Sequence, residues 1–122
     1  MKSIFEYNSY KSYMMAYLGP GKTSRKGLRT ALAKHIQCHT SLLSQVLNAD
    51  QNLSIEQAEM ATSFFSMGEE EKSFFILLVQ HERAGTRGLK TFYQKQIDEK
   101  KKVRINISKQ IRRSQEISEK EK

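Results

Sequence analysis

Leu32-Ala33-Lys34-His35-Ile36-Gln37-Cys38-His39-Thr40-Ser41-Leu42-Leu43-Ser44-Gln45-Val46-Leu47-Asn48 is the stretch that decides the fold of this chain. Leu32, Ala33 and Ile36, and then Leu43, Val46 and Leu47, recur at helical spacing, so each half reads as a short amphipathic helix with one inward face. Gln37-Cys38-His39 breaks the period over the length of a tight corner, and the two halves together spell a helix-turn-helix. The second helix leaves Thr40, Ser41, Ser44 and Gln45 on its outer side. Short hydrogen-bonding side chains on such a helix suit the edges of base pairs in a major groove, where Gln pairs bidentately with adenine and a hydroxyl donates or accepts.

Working outward, nearly the whole chain reads as helix. The single proline stands in Gly19-Pro20-Gly21-Lys22, a break after a first helical segment over about residues 7–18. Tyr10, Tyr13, Met14, Tyr17 and Leu18 form one apolar stripe there, which reads as core in preference to a stacking platform for single-stranded nucleic acid. The second helix should start at about residue 24 or 29 and end at 36, and the third should span about 40–47. Ser54-Ile55-Glu56-Gln57 is a capping box and opens a fourth helix through Ala58, Ala61, Phe64 and Phe65. Ser66-Met67-Gly68-Glu69 repeats the device before a fifth helix over about 69–84, with Glu69, Glu70 and Glu71 where the helix dipole favours negative charge.

Phe74-Phe75-Ile76-Leu77-Leu78-Val79 is apolar on every face. The fifth helix should therefore run through the centre of the domain or be covered on its far side, for which a second chain is one candidate. Gly85 stops it and Thr86 caps the next segment. From Leu89 this sixth segment carries Phe92, Tyr93 and Ile97 and then Lys100-Lys101-Lys102. Val103, Ile105 and Ile107 alternate as in a strand, whereas Val103, Ile107 and Ile111 keep helical spacing; helix is the expectation, since a lone strand has no partner. The polar end, 114–122, is expected to fray.

Charge is distributed unevenly along the 122 residues. Residues 1–48 carry seven Lys/Arg and one acid, 49–84 carry two and seven, and 85–122 carry twelve and five, which sums to the net +8. A basic front and tail around an acidic middle is how a nucleic-acid binder offers one face to phosphate. No Lys or Arg occurs from His35 through Glu71. The outer face of the third helix is thus neutral, and phosphate attraction must come from Lys22, Arg25, Lys26, Arg29 and Lys34, or from the tail.

One cysteine excludes an internal disulfide and favours a reducing compartment. The opening Met1-Lys2-Ser3-Ile4-Phe5-Glu6-Tyr7 has no apolar region of signal-peptide length, and the run at 74–79 is too short to span a bilayer, so the expectation is a soluble, cytoplasmic protein without membrane contact. His35, Cys38 and His39 lie close together, but no fourth ligand is evident and the corner itself accounts for them, so no metal is expected. With no Gly-rich phosphate loop, no His-Glu-x-x-His and no Gly-x-Ser-x-Gly, neither an enzyme nor a cofactor is expected, and no small-molecule substrate is evident.

Residues 28–65 resemble the helix-turn-helix core of the phage-repressor-like DNA-binding superfamily, with Ala33 inside the first helix, Asn48 after the second and the Ser54 cap matching its pattern. More narrowly, the chain is similar over about residues 1–110 to the N-terminal half of a bacterial family of proposed transcriptional regulators. That likeness is carried by Ile4-Phe5-Glu6-Tyr7, Leu43-Ser44-Gln45-Val46-Leu47-Asn48, Leu53-Ser54-Ile55-Glu56-Gln57-Ala58, Phe75-Ile76-Leu77-Leu78-Val79-Gln80 and Glu82-Arg83-Ala84-Gly85-Thr86. It implies base contacts from Thr40, Ser41, Ser44 and Gln45, a phosphate held by Arg29, and backbone approach by Asn48. It also implies a further C-terminal domain in full-length members. Gln37 stands where the pattern has Gly, so a positive φ is expected there at some cost, and Ala49 replaces another common Gly.

The sequence thus predicts an all-α chain, a five-to-six-helix bundle with a repressor-like helix-turn-helix and a C-terminal basic helical extension, divided as 1–86 and 87–122. The expected partner is double-stranded DNA, bound by a homodimer that associates through the fifth helix or through residues 89–111. The alternative is a protein-interaction module on the same scaffold with little or no DNA binding.

Overall fold

The computed structural model describes residues 2–19 and 26–120. A 3-10 turn, Ile4–Glu6, precedes six helices: α1 Tyr10–Leu18, α2 Lys26–His35, α3 Thr40–Asn48, α4 Ile55–Phe64, α5 Glu69–Arg83 and α6 Arg87–Lys120. No strand occurs among the described residues.

The first helix starts later than its apolar pattern predicts. Ser9 takes the Lys11 N–H on its hydroxyl at 3.2 Å and caps α1 at Tyr10. Tyr7 instead closes the preceding turn, where the Ser3 N–H donates to the Glu6 carboxylate at 3.0 Å. The α1 stripe is core, as expected: Tyr10, Tyr13, Met14 and Leu18 are buried and Tyr17 is half-buried. Their rings meet Phe65 and Phe75 edge-on, with Tyr13 5.4 Å from Phe65 and Tyr10 5.8 Å from Phe75, the geometry that the aromatic quadrupole favours.

Both corners at the ends of α2 and α4 are closed by non-glycine residues in the left-handed region. At the first, Gln37 has φ 59°, its N–H reaches Lys34 O at 3.2 Å, and Cys38 N–H reaches Ala33 O at 2.9 Å. At the second, Ser66 has φ 55°, with Ser66 N–H on Ser63 O and Met67 N–H on Thr62 O. This pair of bonds satisfies carbonyls that a helix end leaves open. Ser66 therefore terminates α4 and is not the cap of α5 that the second capping motif predicts. Gly68 takes the cap position, with its N–H on Glu71 Oε1 at 3.2 Å. The Ser54–Gln57 box is formed in both directions, at 3.1 and 3.0 Å.

The core is built around α5, whose Phe74, Phe75, Leu77, Leu78 and Val79 are buried. One side packs on α1 and α4, and the other is covered by the N-terminal turn and α6 of the same chain. That answers the expectation that α5 needs a cover. Thr86 caps α6 through the Leu89 N–H at 3.2 Å, and Ile97, 2% exposed, inserts into the core. Residues 103–107 are helical, not extended. The helix has 34 residues, about 50 Å at 1.5 Å per residue, and runs to Lys120. No helix among the described residues is long and apolar enough to cross a membrane.

Candidate nucleic-acid interface

The α2–α3 pair is held by the six apolar residues that the sequence singles out: Leu32, Ala33, Ile36, Leu43, Val46 and Leu47 are all buried. With that face inward, Thr40, Ser41, Ser44, Gln45 and Asn48 are exposed. At 100° per residue they share an arc of about 140° on the opposite side of α3. The candidate base-reading residues thus form one continuous polar surface, and no charged side chain interrupts it.

The candidate phosphate contacts fare differently. Lys34 is exposed on α2. Arg29 is half-buried and turned toward α1, donating from Nη2 to Gly19 O at 3.3 Å with Met15 Sδ at 3.9 Å. Gly19 ends α1 at φ 83°, so the guanidinium sits on the carbonyl end of that helix, where positive charge is favoured. Lys22 and Arg25 lie outside the described residues, as does the side chain of Lys26.

Beyond α3, the loop 49–53 is held by three side chains to which sequence reasoning assigns no such role. Lys11 Nζ donates to Ala49 O at 3.1 Å and to Gln51 O at 2.7 Å. Tyr10 Oη donates to Asn52 Oδ1 at 2.8 Å and accepts the Leu53 N–H at 3.1 Å, while Arg83 Nη1 donates to Leu53 O at 3.1 Å. The sequence signal for these roles is weak: Tyr10 lies within the apolar stripe of α1, and Lys11 and Arg83 read as ordinary surface cations. The loop fixes where the end of α3 lies, so these residues position the polar surface without belonging to it.

On the other side of the corner, His35 Nε2 lies 2.8 Å from Ser63 Oγ. The Ser63 hydroxyl also donates to Met60 O at 2.8 Å, an arrangement that suits it to accept from the imidazole. Cys38 is half-buried and desolvation pushes its thiol up, away from the reactive thiolate. Among the described residues, no group of three or more His, Cys, Asp or Glu could hold a metal ion.

The basic stretch after Ile97 divides in two. Lys101 Nζ donates to Asn8 Oδ1 at 2.5 Å and the Arg104 guanidinium lies 4.4 Å from the centre of the Phe5 ring, so these two cations tie α6 to the N-terminal turn. Lys102, Lys109, Arg112 and Arg113 are exposed. Comparison of the chain with protein-family models, curated protein sequences and solved structures gave no match.

Proposed function

We propose that this chain is a cytoplasmic, sequence-specific DNA-binding transcriptional regulator, in which α2, the corner at 37–39 and α3 act as a helix-turn-helix with α3 in the major groove. The observation that carries this reading is the single exposed arc of Thr40, Ser41, Ser44 and Gln45, on a helix whose opposite face is fully committed to the core. Side chains of that kind contribute base-edge hydrogen bonds, and α3 is short enough to lie within one groove. Affinity for phosphate then comes from Lys34 and the basic residues before it, with Lys102, Lys109, Arg112 and Arg113 as a second, basic helical extension. Arg29 contributes mainly by holding α2 against α1. The resemblance to repressor-like regulators supports the same assignment through the residues quoted for it.

Selection of bound duplexes from a random library tests the reading. A recurrent short motif, bound more tightly than scrambled duplex at the same salt concentration, is the expected result. Recovery of unenriched sequence would instead favour the second reading, a protein-interaction module. The neutrality of α3 and the inward commitment of Arg29 are the observations on that side.

A further inference from the structure

From residue 100 through 115 the chain carries seven Lys/Arg and no acid. The structure sorts these cations onto two sides of α6. On one side, a groove of about 520 Å³ sets Lys100 and Arg104 beside Glu70 and Glu99, so its charge is balanced. On the other, a groove of about 600 Å³ runs between the N-terminal turn and α6, lined by Phe5, Lys101, Arg104, Ser108, Lys109 and Arg112. These α6 residues share an arc of about 140° at 100° per residue. Glu6 also lines this second groove, with its carboxylate on the Ser3 N–H at 3.0 Å. Lys101 and Arg104 fix the wall through Asn8 and Phe5, whereas Ser108, Lys109 and Arg112 are exposed along it.

We propose that the basic groove holds the phosphodiester backbone of duplex DNA on the flank beyond the C-terminal end of α3, an inference that rests on α3 occupying the major groove. The N-terminal segment gives the direction. Asn8 receives Lys101 at the groove, and Lys11, three residues on, donates to Ala49 O and Gln51 O in the loop that follows α3. Residues 8–11 thus join the basic side of α6 to the end of α3, while the balanced side carries Glu70 of α5. A strand whose phosphates pass Asn48 reaches the groove across that bridge. From Lys101 to Arg112 the helix rises about 16 Å, the length of about five base pairs along a duplex. Cations at helical spacing with a hydroxyl between them suit a repeating phosphate better than a single anion, since each successive Lys, Ser or Arg meets another backbone oxygen. The balanced groove offers no such field.

Binding of the full chain to the selected duplex, with the motif flanked on both sides, is measured over a salt series for the parent, Lys109→Ala, Arg112→Ala and Lys100→Ala. Each groove variant should reduce the slope of log affinity against log salt by about 1 and leave the base preference unchanged. Lys100→Ala removes the same charge from the other side of α6 and should leave the slope as in the parent. Trimming the duplex to the bare motif should abolish the difference between parent and groove variants, and trimming one flank alone should suffice. Equal effects of Lys100→Ala and Arg112→Ala, or groove variants that bind the flanked duplex as the parent does, overturn the proposal while sequence selection by α3 stands. Groove-dependent binding without any sequence preference overturns the reading of α3 and, with it, the placement of the groove beyond that helix. A chain that binds no duplex overturns both.

Discussion

Tyr10 and Asn52, 42 positions apart in sequence, are joined by a 2.8 Å hydrogen bond from the phenol to the amide oxygen, and the same phenol oxygen receives the Leu53 N–H. One hydroxyl therefore serves as donor and acceptor for a loop whose Leu53 side chain is fully buried. Removing it by Tyr10→Phe leaves a buried backbone N–H unpaired, which should cost about 1–3 kcal/mol. Urea denaturation measures the loss. Asn52→Ala should cost less, because the amide is only partly buried and solvent can replace its partner.

Burial also sets the alkaline limit. It pushes the Tyr10 hydroxyl up to about 12, against the lowering effect of the Leu53 N–H, and pushes Tyr13 to about 12, with Glu71 adding to the effect. The folded protein thus holds these protons at a pH where the unfolded chain, with tyrosines near 10, has released them. Their contribution is intact below pH 10 and should be lost as pH rises from 10 to about 12. Denaturation midpoints across that range should fall, and a Tyr10→Phe, Tyr13→Phe double variant should show a flatter decline.

The two left-handed corners are local strain that glycine would relieve. A non-glycine residue in that region costs about 1–2 kcal/mol, part of which is offset by the greater freedom of glycine in the unfolded chain. Gln37→Gly and Ser66→Gly should each raise stability by about 0.5–1 kcal/mol. Gln37→Val should lower it. Thermal melts of the three variants decide the matter.

Ile97 distinguishes a helix that belongs to the core from one that merely trails it. Ile97→Ala should cost about 2–5 kcal/mol, as for other buried aliphatic side chains, whereas Ile105→Ala on the same helix, at an exposed position, should stay within about 0.5 kcal/mol of the parent. Equal effects would contradict the packing of α6 on α5.

Under the proposed function, Gln45→Ala should lower affinity for the selected duplex by about 1–3 kcal/mol and relax one base position. Lys34→Ala should weaken all duplexes alike and reduce the slope of log affinity against log salt by about 1. Arg29→Ala should act first on folding, through the lost bond to Gly19, and its binding is to be compared at equal folded fraction. Quantitative binding over a salt series separates the three.

Local rules carried much of this chain from sequence to structure. Six apolar positions around 37–39, the tyrosine stripe and the Ser54–Gln57 box depend on neighbours within one or two helical turns, so their spacing alone determined where helices form and which sides turn inward. The left-handed Gln37 was legible through the resemblance alone, whose pattern has Gly at that position. Ser66 was misread because a serine shortly before an acidic run satisfies the pattern of a cap, and only the competing bonds from Ser66 and Met67 back to α4 assign it to the corner. The sequence could likewise offer both strand and helix for 103–107, since those few residues fit either period; the unbroken helix from Arg87, anchored by Ile97, decided between them. Which surface charges are free was a tertiary matter throughout. Arg29, Lys101 and Arg104 carry the same charge as Lys34 and Lys102, yet the first three are drawn onto Gly19, Asn8 and Phe5. Those groups come within reach only when α1, the N-terminal turn and α6 pack together, and no pattern along the chain encodes that proximity.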